Sequence, residues 1–330
     1  MPSSLPRRFP CARWPIRAGK VKTRGGGPWQ GARAAKGRRM GLRMIGWLVA
    51  GGVVAGLVLL VAANTVGRYT GLTVPRMPPE TLSSLLRPAY RLTVPDEGEG
   101  PFPTALLLSG CDGPRDNLET WAQALAEAGW ASLSVDSHGP RGFTEFELWR
   151  LVCAGQLLTG AERAGDIAVA LADARAMPQV DETRLALIGA SHGGWAILEY
   201  LSMADHGQVP LTLTGWPEGP APLDGVQAAL LLYPYCGGLS RASRRGWETA
   251  LPVLFLLAEG DSIASEKPCL EVAAREARRG LPIDTHVYAG VTHGFDQQEK
   301  APLSTLGYFP DVTADALARG TAFLDRAIGR

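Results

Sequence analysis

The chain has 330 residues, 46% of them hydrophobic, and a formal charge of +1 at pH 7, which excludes a chain too polar to fold and permits one large domain or two small ones. The small net charge conceals an asymmetry. Residues 1–43 carry 12 of the 33 Lys and Arg and no acidic residue, which leaves 21 basic against 32 acidic side chains beyond them, a net of −11. A basic arm ahead of an acidic body fits nucleic acid or a membrane, and the segment after the arm decides between them.

The arm, residues 1–43, mixes Arg, Gly, Pro and Trp without period over 1–39, a composition predicted to be disordered. Met40 and Met44 are alternative starts that would leave a conventional targeting segment headed by Arg43. Then comes "MIGWLVAGGVVAGLVLLVAANTVG", from Met44 to Gly67, free of charge throughout. Its apolar core, Met44 to Ala63, matches the ~20 residues a helix needs to cross a bilayer. Basic residues on its N-terminal side predict a cytoplasmic N-terminus and an exported body. The expectation is a single-pass signal anchor over 44–66 in the cytoplasmic membrane, with no nucleic-acid partner. Val61-Ala62-Ala63 offers the small residues of a cleavage site, so secretion to the periplasm after a cut near Ala63 is the alternative. The length of the apolar run favours the anchor, since a signal core has ~7–15 residues.

A Pro-containing linker over 67–90 should lead to the body, 91–330. There, apolar strands alternate with amphipathic helices. Strands are predicted at 104–110, 131–136, 184–190, 225–235, 251–261 and 283–290, and helices at 117–130, 161–176, 192–202, 266–280 and 313–328. This alternation predicts a mainly parallel sheet with helices on both faces, in one α/β domain. The irregular stretch 203–224 is placed to cap a pocket at the carboxyl ends of the strands. Of the five cysteines, Cys111, Cys153, Cys236 and Cys269 lie in the body. They form no CxxC pair, which argues against a zinc ribbon, and their even number permits two disulfides whose pairing spacing alone does not give.

The chemistry is carried by "LIGASHGGW". Gly189-Ala190-Ser191-His192-Gly193 fits G-x-S-x-G between a predicted strand and a predicted helix, where the chain turns so sharply that side chains at the glycine positions would collide. Ser191 is the candidate nucleophile, and the backbone N–H of His192 at the helix start can donate to an oxyanion. His192 itself, adjacent to the serine, points along the first helical turn and is not the expected base. The partners of such a serine follow as acid, then histidine. His293, in the glycine-flanked loop "AGVTHGFD", is the expected base. His286 lies inside a strand, and His206 in the irregular stretch. Asp261, in the turn after "LLAEG", is preferred as the orienting acid over Glu259, which is nearer the strand. The second oxyanion donor is expected from the N–H of Cys111 in "LLLSGCDGP". No cofactor and no metal is needed for this chemistry.

"GASHGG", "AEGD", "YAGVTHGFD" and "VDSHGPRG" together resemble the dienelactone hydrolase family over about Ala105 to Phe323. The resemblance implies the α/β-hydrolase fold, preceded here by one transmembrane helix, and an esterase- or lactonase-type serine hydrolase with Ser191, Asp261 and His293 as its triad, acting on a small ester, lactone or thioester. Two departures stand out: the founding enzymes use a cysteine nucleophile on a dienelactone, and they are soluble. The resemblance also draws attention to "DSHGPRG", in which Arg141 and His138 are candidate substrate-binding residues, with a structural Arg141 that ties loops together as the alternative. A prolyl-oligopeptidase-type peptidase shares the fold but carries a large additional domain. A non-catalytic binding protein would not need an intact Ser/Asp/His set. The substrate and the oligomeric state are not readable at this stage.

Overall fold

The computed structural model describes residues 31–300, 304 and 306–330, so the expectation of disorder over 1–39 lies largely outside the described residues. The chain divides into two units after Val58. The described part of the first is helical and belongs to α1, Gly31–Thr70. Within α1, Arg43–Thr70 is long and apolar enough to cross a membrane, with a mean hydropathy of 2.4 over its most apolar 18 residues. The helix runs beyond the predicted anchor 44–66 on both sides, ending at Thr70 inside the expected linker.

The second unit, Leu59–Arg330, takes in the end of α1 and the body. The body holds α2 (Pro79–Leu86), β1 (Arg91–Thr93), β2 (Phe102–Leu108), α3 (Asp116–Glu127), β3 (Ala131–Val135), α4 (Glu145–Glu147), α5 (Gly160–Arg175), β4 (Val180–Ala190) and α6 (His192–Asp205). It continues with β5 (Val226–Leu232), α7 (Ala242–Arg245), β6 (Val253–Ala258), α8 (Glu266–Arg278), β7 (Ile283–Tyr288) and α9 (Pro310–Ala327). The seven strands form one sheet in the order β1-β3-β2-β4-β5-β6-β7, parallel except for β1.

The alternation of side chains along each strand explains why both faces are covered. Leu106, Leu108, Leu185, Leu187, Leu231, Phe255 and Leu257 join a buried core with α2, α5, α6 and α8. Ala105, Leu107, Ala186, Ile188, Leu230, Leu232 and Leu256 point the other way, onto α3 and α9. After β3 the strand order reverses across β2, so the carboxyl ends of β2 and β4 lie side by side, with Leu108 opposite Gly189. Such a reversal opens a crevice between the loops that leave the two strands.

The stretch 203–224 does not lie over that crevice, and the expectation that it caps the pocket is corrected. It packs against the α2 and α5 side, where Leu211 N–H donates to Ala161 O at 3.3 Å and Thr212 Oγ1 to Glu162 O at 2.9 Å. Two disulfides join Cys111 to Cys153 and Cys236 to Cys269.

Candidate active site

Ser191 sits between β4 and α6 with φ 51° and ψ −110°, in the left-handed region that a non-glycine residue occupies only under strain. The glycines around it make the turn possible. A Cβ on Gly189 would lie 2.5–2.7 Å from the backbone of Gly193 and Gly194, and one on Gly193 would run into the carbonyls of Leu108 and Ser109. Ser191 N–H donates to Leu232 O at 2.8 Å, which pins the turn to the neighbouring strand β5.

His293 follows β7 in the loop that starts at Gly290. Its Nδ1 lies 2.6 Å from Asp261 Oδ2 and its Nε2 lies 2.8 Å from Ser191 Oγ. A carboxylate only accepts, so Nδ1–H donates to Asp261 and Nε2 keeps its lone pair for the serine hydroxyl. Asp261 is itself fixed, since its Oδ1 accepts from the N–H groups of Ile263 at 2.8 Å and Ala264 at 3.0 Å. Glu259 is exposed on the turn, His206 caps α6, and His286 lies on the outermost strand β7.

Cys111 and His192 line the cavity with Ser191, from the loop after β2 and from the start of α6, and neither N–H group donates to a protein acceptor among the described residues. Arg163 connects the two. This fully buried side chain of α5 donates from Nη1 to Ser109 O at 2.9 Å and to His192 Nδ1 at 3.1 Å, and from Nε to Ser137 Oγ at 3.1 Å. Because a guanidinium only donates, His192 Nδ1 must be the accepting nitrogen, and the ring is held by Arg163 rather than offered to Ser191. Burial pushes the Arg163 pKa down to about 10, which leaves it charged at neutral pH. Burial and that charge hold the His192 imidazole well below its ordinary pKa. Sequence reasoning missed Arg163. The one available signal was a cation amid the small and apolar residues of "AERAGDIAVALADA".

Arg141 and His138 are not brought to the cavity. Arg141 forms a two-pronged ion pair with buried Asp166, at 3.0 and 2.7 Å, and ties down Ser137 O, which is the structural role. His138 is buried, and neither of its ring nitrogens has a hydrogen-bond partner. Asp136 Oδ1 lies 3.8 Å from Nδ1, beyond reach. Burial first, then the charge of Arg163, the neighbouring His192 and the charge of Arg141, lower its pKa well below 6.5. Between that depressed value and 6.5 the unfolded chain binds a proton that the folded protein refuses, so acid destabilises the fold. His138→Leu should therefore remove part of the acid sensitivity. Urea unfolding at pH 7.5 and at pH 5.5 should show the wild type losing about 1.4 kcal/mol more than the variant between the two.

A second buried network backs the base. Tyr233, with φ 37°, turns its ring edge toward His293 with centroids 4.7 Å apart and donates its hydroxyl to Asp296 Oδ1 at 2.5 Å. Trp121 Nε1 donates to the other Asp296 oxygen at 2.9 Å. Burial raises the Asp296 pKa. A cavity of about 330 Å³ opens over Ser191 and His293, walled by the 149–155 segment, Trp195, Tyr235, Leu239 and, after the base loop, Gln297, Lys300 and Leu306. Among the described residues no cluster of His, Cys, Asp and Glu could hold a metal ion.

A parallel sheet with a strained serine at the carboxyl end of its central strand and a histidine–carboxylate pair on later loops defines an α/β-hydrolase. The family model described as the dienelactone hydrolase family matches residues 91–328, and the chain belongs to that family, a carboxylic ester hydrolase by class. No curated protein matches the sequence. Solved structures share the fold at low identity. A dienelactone hydrolase-like promiscuous phosphotriesterase from metagenomic libraries is 19% identical, with 72% of this chain and 92% of that chain covered and a TM-score of 0.55. The protein m3DLH is 20% identical over the same shares, with a TM-score of 0.57. Esterase 2 of Thermogutta terrifontis, phosphorylated by paraoxon, is 17% identical over 73% and 88%, with a TM-score of 0.53.

Proposed function

We propose that this protein is a membrane-anchored serine hydrolase that cleaves a small ester, lactone or thioester through an acyl-enzyme on Ser191. The observation that carries this reading is the unbroken chain from Ser191 Oγ to His293 Nε2 at 2.8 Å and from His293 Nδ1 to Asp261 Oδ2 at 2.6 Å. In the reaction, Ser191 Oγ attacks the carbonyl carbon as its proton passes to His293 Nε2. Asp261 stabilises the imidazolium, and the N–H groups of Cys111 and His192 hold the oxyanion. Collapse breaks the acyl bond, and the leaving group takes the proton from Nε2. Water, deprotonated by the same nitrogen, then releases the acid and restores Ser191.

The segment 44–66 anchors the enzyme with its N-terminus cytoplasmic, the linker 67–90 follows, and the catalytic domain 91–330 lies outside the membrane. Both disulfides suit an oxidising compartment of that kind. One experiment tests chemistry and orientation together. A membrane-impermeant fluorophosphonate applied to intact spheroplasts should label the wild type and leave Ser191→Ala unlabelled. Labelling of the variant refutes the nucleophile, and labelling only after lysis refutes the orientation.

A further inference from the structure

The cavity wall farthest in character from water is also the wall nearest the end of α1. Among the described residues, polar side chains of the cavity beyond the triad and His192 are Asp112, Gln297, Lys300, Ser304 and the ring hydroxyls, whereas Trp149, Gly155, Trp195 and Leu239 form an apolar face. That face is rigid. The Trp195 indole lies across Gly160, where a Cβ would come within 2.6 Å of the ring, and its Nε1 donates to buried Glu199 at 3.0 Å. Gly155, Trp195 and Leu239 have a second side, facing a small cleft that Thr65 and Tyr69 of α1 complete.

The apolar run of α1 ends at Ala63, and the next residues fasten to the body beside this wall. Asn64 Nδ2 donates to Gln156 O at 2.9 Å and to its Oε1 at 3.0 Å, and Gln156 Nε2 donates to Thr65 Oγ1 at 2.8 Å. Arg68 pairs with Glu162, and the Tyr69 ring is faced by Arg241 and Arg244 at 5.0 and 4.9 Å. Residues 57–63 are exposed, and burial begins at Asn64. A helix that leaves the bilayer at Ala63 thus meets the back of the acyl-binding wall one residue later. Large exposed apolar side chains continue the theme. Leu72 follows the helix, Ile263 lines the cavity, and Phe146 precedes Trp149 by three residues; they are 83%, 61% and 67% exposed.

We infer that the substrate comes from the bilayer: a single-chain amphiphilic ester whose acyl chain lies along Trp149, Trp195 and Leu239 and whose polar part faces Asp112 and Lys300. This rests on Ser191 being the nucleophile. A cavity of this volume is at the lower end of ligand sites, which suits one chain rather than two.

The test uses the full-length protein in phosphatidylcholine vesicles, with octadecylglycerol octanoate as a bilayer-held probe and p-nitrophenyl acetate as a soluble reference. Octanoate release should be at least about tenfold faster when probe and protein share a vesicle than when the probe sits in separate vesicles, because an ester with this much buried apolar area crosses water slowly. Leu239→Asp should lower octanoate release about tenfold more than acetate turnover, as expected from loss of apolar contact along the chain; fluorophosphonate labelling reports that the variant is folded. Acetate turnover without octanoate release from shared vesicles overturns the inference and leaves the Ser191 reading standing, as does equal release from shared and separate vesicles. An equal effect of Leu239→Asp on both substrates overturns the assignment of the wall. A wild type that is folded by circular dichroism, turns over neither substrate and does not label overturns the Ser191 reading itself.

Discussion

His293→Ala should lower kcat on an activated ester by about 10⁶-fold, and Asp261→Asn by about 10⁴-fold, measured by initial rates with fluorophosphonate-titrated wild type as the reference. The unequal sizes follow from what each side chain holds. Without His293 the Ser191 hydroxyl loses its acceptor at 2.8 Å and has nowhere to send its proton. With asparagine at 261 the base remains, but the amide can donate to Nδ1 and so place the imidazole proton on Nε2, aimed at the serine it should deprotonate. Asp261 also accepts two backbone N–H groups, from Ile263 and Ala264. Asparagine keeps one oxygen for them, so the turn should hold and the thermal midpoint should change little. The double variant should be no slower than His293→Ala alone, because the acid acts only through the base. A double variant much slower than the single would mean that Asp261 acts on the substrate directly.

The parts of this site legible in the sequence are those enforced locally. The turn at Ser191 demands glycine at 189 because a Cβ there would strike Gly193 and Gly194 in the same turn, and the order of Asp261 and His293 follows from where strands β6 and β7 end. Other features depend on partners far along the chain. Arg141 reads as a free cation in a loop until Asp166, buried on α5, is found to take both its nitrogens. Of the apolar wall, Trp195 sits on a helix the sequence predicts, but the π-helical turn at Leu148–Val152 and Leu239 have no periodic signal long enough to read. The link from Cys111 to Cys153 joins the loop carrying the expected oxyanion N–H to that wall, a pairing that needs the fold to bring the two sulfurs together. Tyr233 and Asp296 are a similar case. Each reads as an ordinary strand-end or loop residue, and only their shared burial makes them a support for His293.

Gly193→Ala should damage the fold and the site together. The added carbon meets the Leu108 carbonyl and lies 2.8 Å from Ser109 O, and both neighbours are backbone at the end of strand β2, beside β4. Neither can rotate away as a side chain could. Relief requires either β2 to shift against β4, which would break the register that sets Leu108 opposite Gly189, or α6 to lift, which would carry the His192 N–H away from Ser191. The expected cost is about 3 kcal/mol, the upper end for overpacking, or roughly a 10 °C fall in thermal midpoint for a domain of this size. Gly215→Ala, where nothing lies within 4 Å of the new carbon, is the control and should leave the midpoint within about 2 °C. If the fold absorbs the Gly193 methyl with a small loss, the relief must have come from α6. Fluorophosphonate labelling should then slow far more than stability falls, since the oxyanion N–H and the serine would no longer share one turn.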